Sequence, residues 1–154
     1  MFKSDILKGK TILVTGGGSG LGLAMSRHLA QYGADLWIVG RRENKLAEAQ
    51  KELESHGGKV GTYSCDIRDP EKVAKMVDHI FAQQRIDCLL NNAAGNFAAP
   101  SESLSHRALD AVLGTVLQGT AYLTLECGKR WLAAEQPAQV LSIVTTYAST
   151  GSGW

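Results

Sequence analysis

Residues 15–22 read Thr-Gly-Gly-Gly-Ser-Gly-Leu-Gly. Side chains are scarce there, and that is a chemical property. A bare backbone lets a phosphate approach closely, and a following helix offers unpaired N–H groups and the positive end of its dipole. A single tight turn needing positive φ would use fewer glycines. No lysine follows at P-loop spacing, so the loop is not of the Walker type. Strict Gly-x-Gly-x-x-Gly spacing is also absent, because Leu21 stands where the third glycine would fall. The pattern present is Thr-Gly-x-x-x-Gly-x-Gly at Thr15, Gly16, Gly20 and Gly22. It makes Gly16, Gly17, Gly18, Ser19, Gly20, Leu21 and Gly22 a candidate phosphate-binding loop.

A second set of groups lies about 20 residues on, where a dinucleotide site that prefers NAD carries Asp or Glu for the ribose 2′-hydroxyl. Here the position holds Arg41 and Arg42. A guanidinium fork matches phosphate oxygens bidentately, so the pair favours a 2′-phosphate and hence NADP(H). The alternative is that both arginines are solvated charges at a helix entry. Asp66 follows a third apolar run and suits the adenine amino group; it suits a turn or cap equally.

These groups need elements to carry them. Residues 11–15 are β-branched and apolar and run straight into the glycine loop, which reads as strand, turn, helix. Leu21, Met25, Leu29 and Tyr32 follow in a helical pattern, and Gly33 ends that helix. Residues 35–39 form a second strand. Leu46, Ala49 and Leu53 share one face of a second helix, flanked by Gln50 and Glu54, and Gly57-Gly58 closes it. Residues 60–65 form a third strand. Asp69-Pro70-Glu71 is a helix start, with Asp as cap, Pro in the first turn and Glu at the positive dipole end. Val73, Met76, Val77, Ile80 and Phe81 follow as its stripe. Residues 86–90 make a fourth strand. After a connector and a cap at Ser105, one long helix to about residue 134 turns Leu109, Val112, Leu113, Val116, Leu123, Cys127 and Trp131 inward. Residues 140–145 make a fifth strand, and the remainder reads as loop.

Strands alternating with helices imply right-handed crossovers and a parallel sheet. The expected fold class is α/β, a Rossmann-type doubly wound sheet of order 3-2-1-4-5, ending after strand five. Residues 1–154 form one domain. Ligands in such sheets sit at the strand carboxyl ends by the switch point, here between strands one and four. The glycine loop, residues 91–97 and the segment after strand five all fall there.

Composition narrows the classes. The 154 residues carry 16 Lys plus Arg and 15 Asp plus Glu, a net charge of +1. Near neutrality argues against a nucleic-acid binder driven by phosphate neutralisation. Three cysteines, far apart and without Cys-x-x-Cys, argue for reduced structural thiols. The first ten residues lack the apolar core of a signal peptide. No apolar run approaches the ~20 residues that span a bilayer. The expectation is a cytoplasmic protein with no membrane partner, any C-terminal address being left open.

Taken together, TGGGSGLG at 15–22, Asp66 and NNAAG at 91–95 resemble the short-chain dehydrogenase/reductase family. The resemblance runs the length of the chain. NNAAGNF followed by Pro100, LQGT at 117–120 and TTYASTGSG at 145–153 look like its 2,4-dienoyl-CoA reductase branch, which reduces unsaturated fatty acyl-CoA thioesters with NADPH in β-oxidation. The resemblance implies that residues 16–22 wrap the pyrophosphate and that Arg41 takes the 2′-phosphate. Asp66 and Ile67 would flank the adenine, and Asn92, Ala93, Ala94 and Gly95 would line the adenosine ribose. It implies that Tyr147 donates to the thioester carbonyl, that Thr145 falls at the larger family's catalytic serine, and that Arg68 and Phe97 touch an acyl-CoA substrate. Gln118 stands where the branch has asparagine, which moves the amide by one methylene. Negative charge builds on the carbonyl oxygen during such a reduction, so Tyr147 and Gln118 would act as oxyanion donors. Tyr147 also reads as a packed or capping loop tyrosine.

The larger family's Tyr-x-x-x-Lys is absent: Tyr32, Tyr63, Tyr122 and Tyr147 are followed four residues on by Leu36, Ile67, Glu126 and Gly151. In the branch, the lysine follows the TGSG loop. The expectation is an N-terminal portion of a homo-oligomeric parent, inactive alone, with an exposed fifth-strand edge prone to aggregation. Two other readings stand beside the dienoyl reductase: a 3-ketoacyl or other ketone/alcohol dehydrogenase, and a non-catalytic nucleotide-binding module.

Overall fold

A computed structural model of the chain describes residues 2–95 and 99–145. Five strands alternate with helices: β1 Thr11–Thr15, α1 Gly20–Gln31, β2 Asp35–Gly40, α2 Glu43–Glu54, β3 Val60–Ser64, α3 Pro70–Gln83 and β4 Cys88–Asn91. A 3₁₀ turn at Ser101–Ser103 leads to α4 His106–Leu113, a π-helical segment Gly114–Gly119, α5 Thr120–Ala133 and β5 Gln139–Ser142. Every strand pair is parallel and the order is β3-β2-β1-β4-β5, as the sequence pattern requires.

The sheet separates two apolar layers. Ile12, Val14, Leu36 and Ile38 pack with Leu46, Ala49 and Leu53 of α2 on one side. Leu13 and Leu89 pack with Val73, Met76, Val77 and Ile80 of α3 and Leu123, Cys127 and Trp131 of α5 on the other. All five β1 residues are buried, as expected of a central strand covered on both faces. The α3 start forms as its residues predict: Asp69 caps, accepting from the backbone N–H groups of Glu71 and Lys72.

Strand ends differ from the sequence reading by a residue or more. β2 runs one residue further, through Gly40, and β3 stops one short, at Ser64. β4 begins at Cys88 rather than 86, because the Ile86 carbonyl is taken by side chains. Trp131 Nε1 donates to it at 2.8 Å and Gln136 Nε2 at 2.6 Å. β5 stops at Ser142, although Ile143 N still donates to the Asn91 carbonyl at 2.8 Å.

The inner stripe of the long helix also differs, and that of α1 is made of small residues. In α1 the fully buried residues are Gly22, Ser26 and Ala30, while Leu21 is 60% exposed. Small residues take the inner line, so the helix backbone lies close to the sheet. Leu23, Met25 and Leu29 flank that line, half-buried against the same core. In the long helix, Leu123, Cys127 and Trp131 are buried as expected, but Leu109, Leu113 and Val116 are exposed and Val112 only half-buried. α4 has no buried residue on any face, so Leu109 and Leu113 are exposed because no part of the described core covers that helix. The π segment then shifts the phase ahead of Leu123, Cys127 and Trp131. Its i→i+5 spacing breaks the 3.6-residue period, so one stripe cannot run through. The buried positions within it are Gly114 and Gly119, five apart. A Cβ on Gly119 would stand 2.6 Å from Ile67 Cγ1, and one on Gly114 would stand 3.4 Å from Arg68 Cδ. The helix therefore docks on the loop after β3 through backbone.

His106–Ala133 is, by length and composition alone, long and apolar enough to cross a membrane. Its second half is instead a layer of this α/β fold, holding Leu123, Cys127 and Trp131 in the core. All four β5 residues are exposed. Cys65, Cys88 and Cys127 are free thiols. Burial pushes Cys65 up to about 11 and Cys127 up to about 12, so both stay protonated at neutral pH.

Candidate functional site

β1 and β4 are neighbours whose following connections leave toward opposite faces, which opens a crevice at their carboxyl ends. A cavity of about 700 Å³ occupies it, within the roughly 300–1,000 Å³ usual for ligand sites. Its floor is the glycine loop. Gly16 sits at φ +69°, a left-handed conformation that favours glycine. A Cβ on Gly22 would stand 2.2 Å from the Gly16 carbonyl oxygen and 2.6 Å from Asn92 Nδ2. Both positions are bare because backbone passes backbone there.

β4 locks that floor in place. Thr15 Oγ1 accepts from Asn92 N and Ala93 N, each at 2.9 Å, and Asn92 Nδ2 donates to the Thr15 carbonyl at 2.9 Å. Asn92 thus ties the two strand ends together as well as lining the cavity. Ser19 precedes α1, yet its hydroxyl does not cap it. The hydroxyl accepts instead from Arg42 Nη2 at 3.0 Å, which fastens the loop to the end of β2.

The cavity's charge is lopsided. Arg41, Arg42 and Lys45 line it, against one carboxylate, Asp66. Arg68 takes that carboxylate in a fork, with Nη2 2.5 Å from Oδ2 and Nε 2.9 Å from Oδ1, and its own N–H adds a bond to Oδ1 at 3.1 Å. The guanidinium holds the Asp66 carboxyl down at about 2, with Arg41 adding to the effect. Asp66 is therefore ionised at any physiological pH.

Of the residues singled out from sequence, Gly16, Gly18, Ser19, Leu21, Gly22, Arg41, Arg42, Asp66, Ile67, Asn92, Ala93, Ala94 and Thr145 line this one cavity. Gly17 lies beneath it, where a Cβ would stand 2.7 Å from Ile38 Cγ2. Gly20 lines an adjoining cavity of about 300 Å³ on the α2 side. Gly95 is near Thr115, outside the lining. Arg68 is turned to Asp66, and Gln118 is exposed on the π segment; neither lines the cavity. Phe97 and Tyr147 lie outside the described residues.

Lys45 and Thr115 also line the cavity, and sequence reasoning passed over both. A cation one helical turn beyond Arg41 was a signal for Lys45. Thr115 had none, because only the π segment brings it there. Among the described residues no cluster of His, Cys, Asp and Glu could hold a metal ion.

The residues fit a pyrophosphate-bridged dinucleotide. The floor is backbone, no carboxylate stands at the end of β2, and Arg41, Arg42 and Lys45 line the same cavity. A doubly wound parallel sheet with a glycine loop at its switch point defines the dinucleotide-binding class of α/β domain. The family model for short chain dehydrogenase matches residues 10–153, and the chain belongs to that family. It is 42% identical over 149 residues to an uncharacterized oxidoreductase of Caenorhabditis elegans, covering 95% of this chain and 48% of that one. It is 34% identical over 146 residues to a probable 2,4-dienoyl-CoA reductase of Bacillus subtilis, covering 94% of this chain and 58% of that one. A crystal structure of a short chain dehydrogenase from Bacillus anthracis superimposes with a TM-score of 0.88 at 38% identity, covering 93% of this chain and 60% of that one. The chain spans about half the length of the curated relatives it matches.

Proposed function

We propose that this chain holds NADP(H) and forms the cofactor-binding part of an oxidoreductase acting on 2,4-dienoyl-CoA or a related enoyl-CoA thioester. The observation that carries the cofactor reading is the union, in one cavity, of a side-chain-free loop with Arg41, Arg42 and Lys45. Gly16, Gly18, Ser19 and Gly22 would take the pyrophosphate and Arg41 the 2′-phosphate. Asp66 and Ile67 would flank the adenine, and Asn92, Ala93 and Ala94 the adenosine ribose. The cofactor, when bound, supplies a hydride equivalent. The substrate reading rests on similarity to proteins named as dienoyl-CoA reductases and on the TTYASTGSG and NNAAGNF segments.

The chain's own residues would bind and polarise. Tyr147 is the proposed donor to the thioester oxygen, with the Gln118 amide the second candidate donor and Thr145 lining the cavity. Removing one such donor typically lowers the rate ~10²–10³-fold. Phe97 would meet the acyl chain. Arg68 would meet a CoA phosphate with the N–H groups that Asp66 leaves over. A cytoplasmic setting and a homo-oligomeric assembly of the longer protein complete the proposal.

The test is a nicotinamide oxidation assay on the longer protein with 2,4-dienoyl-CoA, NADPH and NADH. NADPH-dependent turnover of the dienoyl thioester is expected. Turnover only of 3-ketoacyl thioesters or sugar ketones would move the assignment to a ketone reductase. The 154-residue chain, with no Tyr-x-x-x-Lys, should bind NADPH in a calorimeter yet turn nothing over.

A further inference from the structure

The Asp66 carboxylate is oriented by more than it needs for neutralisation. Arg68 brings three N–H groups to it: its backbone N, Nε shared between both oxygens, and Nη2. A carboxylate offers about four acceptor positions, so about one is left. Asp66 lines the cavity, while Arg68 does not. Behind Arg68 stands the π segment. Gly114 is buried, and a Cβ there would meet Arg68 Cδ at 3.4 Å and Cγ at 3.5 Å. The arginine stem is thus seated on bare backbone, and its fork points back at Asp66.

We propose that Arg68 is a positioning residue that, braced on Gly114, aims the remaining acceptor position of Asp66 at the 6-amino group of an adenine. This rests on the dinucleotide reading above. The role differs from charge neutralisation, because a planar fork fixes the carboxylate plane and an ammonium does not. It also gives the π segment a use, since its five-residue period leaves Gly114 and Gly119 together against Arg68 and Ile67.

The experiment compares the Kd of NADPH with that of its hypoxanthine analogue, in which a carbonyl replaces the 6-amino group. Both are measured by calorimetry on the longer protein, with folding checked by circular dichroism. A hydrogen bond to a charged acceptor predicts that the wild type prefers NADPH by about tenfold or more. In Arg68→Met that preference should fall toward one. Arg68→Lys, which keeps the charge and loses the fork, should behave like Arg68→Met. Gly114→Leu, which pushes the stem from outside the cavity, should lower the preference too and replaces Arg68→Met if that variant does not fold. An unchanged preference in Arg68→Met, or full recovery in Arg68→Lys, overturns the inference. So does equal wild-type affinity for the two cofactors, which leaves the dinucleotide reading standing. Wild-type failure to bind either one overturns that reading and this inference with it.

Discussion

At the scale of single residues, the site depends on atoms that are missing. Gly22 lies against the Gly16 carbonyl so closely that one methyl group cannot be accommodated without moving backbone. Gly22→Ala should therefore cost about 1–3 kcal/mol of stability, the usual range for overpacking. It should also abolish NADPH binding, as read by thermal melting and by fluorescence of the reduced cofactor. Asp66 carries a second prediction. Its carboxyl is held at about 2 when folded, below the ~3.9 of an unfolded aspartate. The stabilisation it contributes is complete above about pH 4 and disappears as pH falls toward about 2. Urea midpoints measured across that window should fall less steeply in Asp66→Asn than in the wild type. A parallel decline in the two would remove Asp66 from the account. Legibility at this scale was good for the glycines and for Arg41, because their chemistry is a property of residue type. It was poor for Thr115, because a threonine among apolar residues announces nothing until the backbone carries it to a cavity.

Elements follow from local rules where the sequence supplies a complete local motif. Asp69 meets two backbone N–H groups at the start of α3 and Pro70 follows in the first turn, so nothing distant is needed. Asp69→Ala should cost about 1 kcal/mol, the usual worth of an N-cap, measurable as a lower denaturation midpoint with the cofactor affinity nearly unchanged. The long helix obeys a different rule. Its 3.6-residue stripe predicted Leu109, Leu113 and Val116 as core, yet the two buried positions of the π segment are Gly114 and Gly119. Periodicity finds large apolar side chains. It has no means of finding a place where a glycine's bare backbone takes a close neighbour, as at Gly114 and Gly119, or where small residues such as Gly22, Ser26 and Ala30 make the inner line of α1.

For the whole molecule, the sheet is asymmetric at its two edges. Val140, Leu141, Ile143 and Val144 are 46%, 55%, 39% and 80% exposed on and after β5, an apolar edge of the kind that pairs with another chain. The 154-residue chain should self-associate with rising concentration. Val144→Lys should suppress this in light scattering, since a lysine on an edge blunts pairing. A wild-type chain that stays monodisperse and melts cooperatively would contradict it.

The order of strands, the parallel sheet, the glycine loop at its switch point and the cations at the end of β2 were all written in residue type and spacing. Each rests on short-range stereochemistry: β-branched runs, glycine freedom, helix caps, the fork of an arginine. Folding alone settled which groups meet. It brought Lys45 and Thr115 into the cavity, set Gln118 outside its lining, turned Arg68 onto Asp66 and exposed the outer half of the long helix. These depend on neighbours that only a bare glycine admits, the Gly16 backbone at Gly22 and the Arg68 and Ile67 side chains at Gly114 and Gly119, and close approach in space leaves no period in the chain.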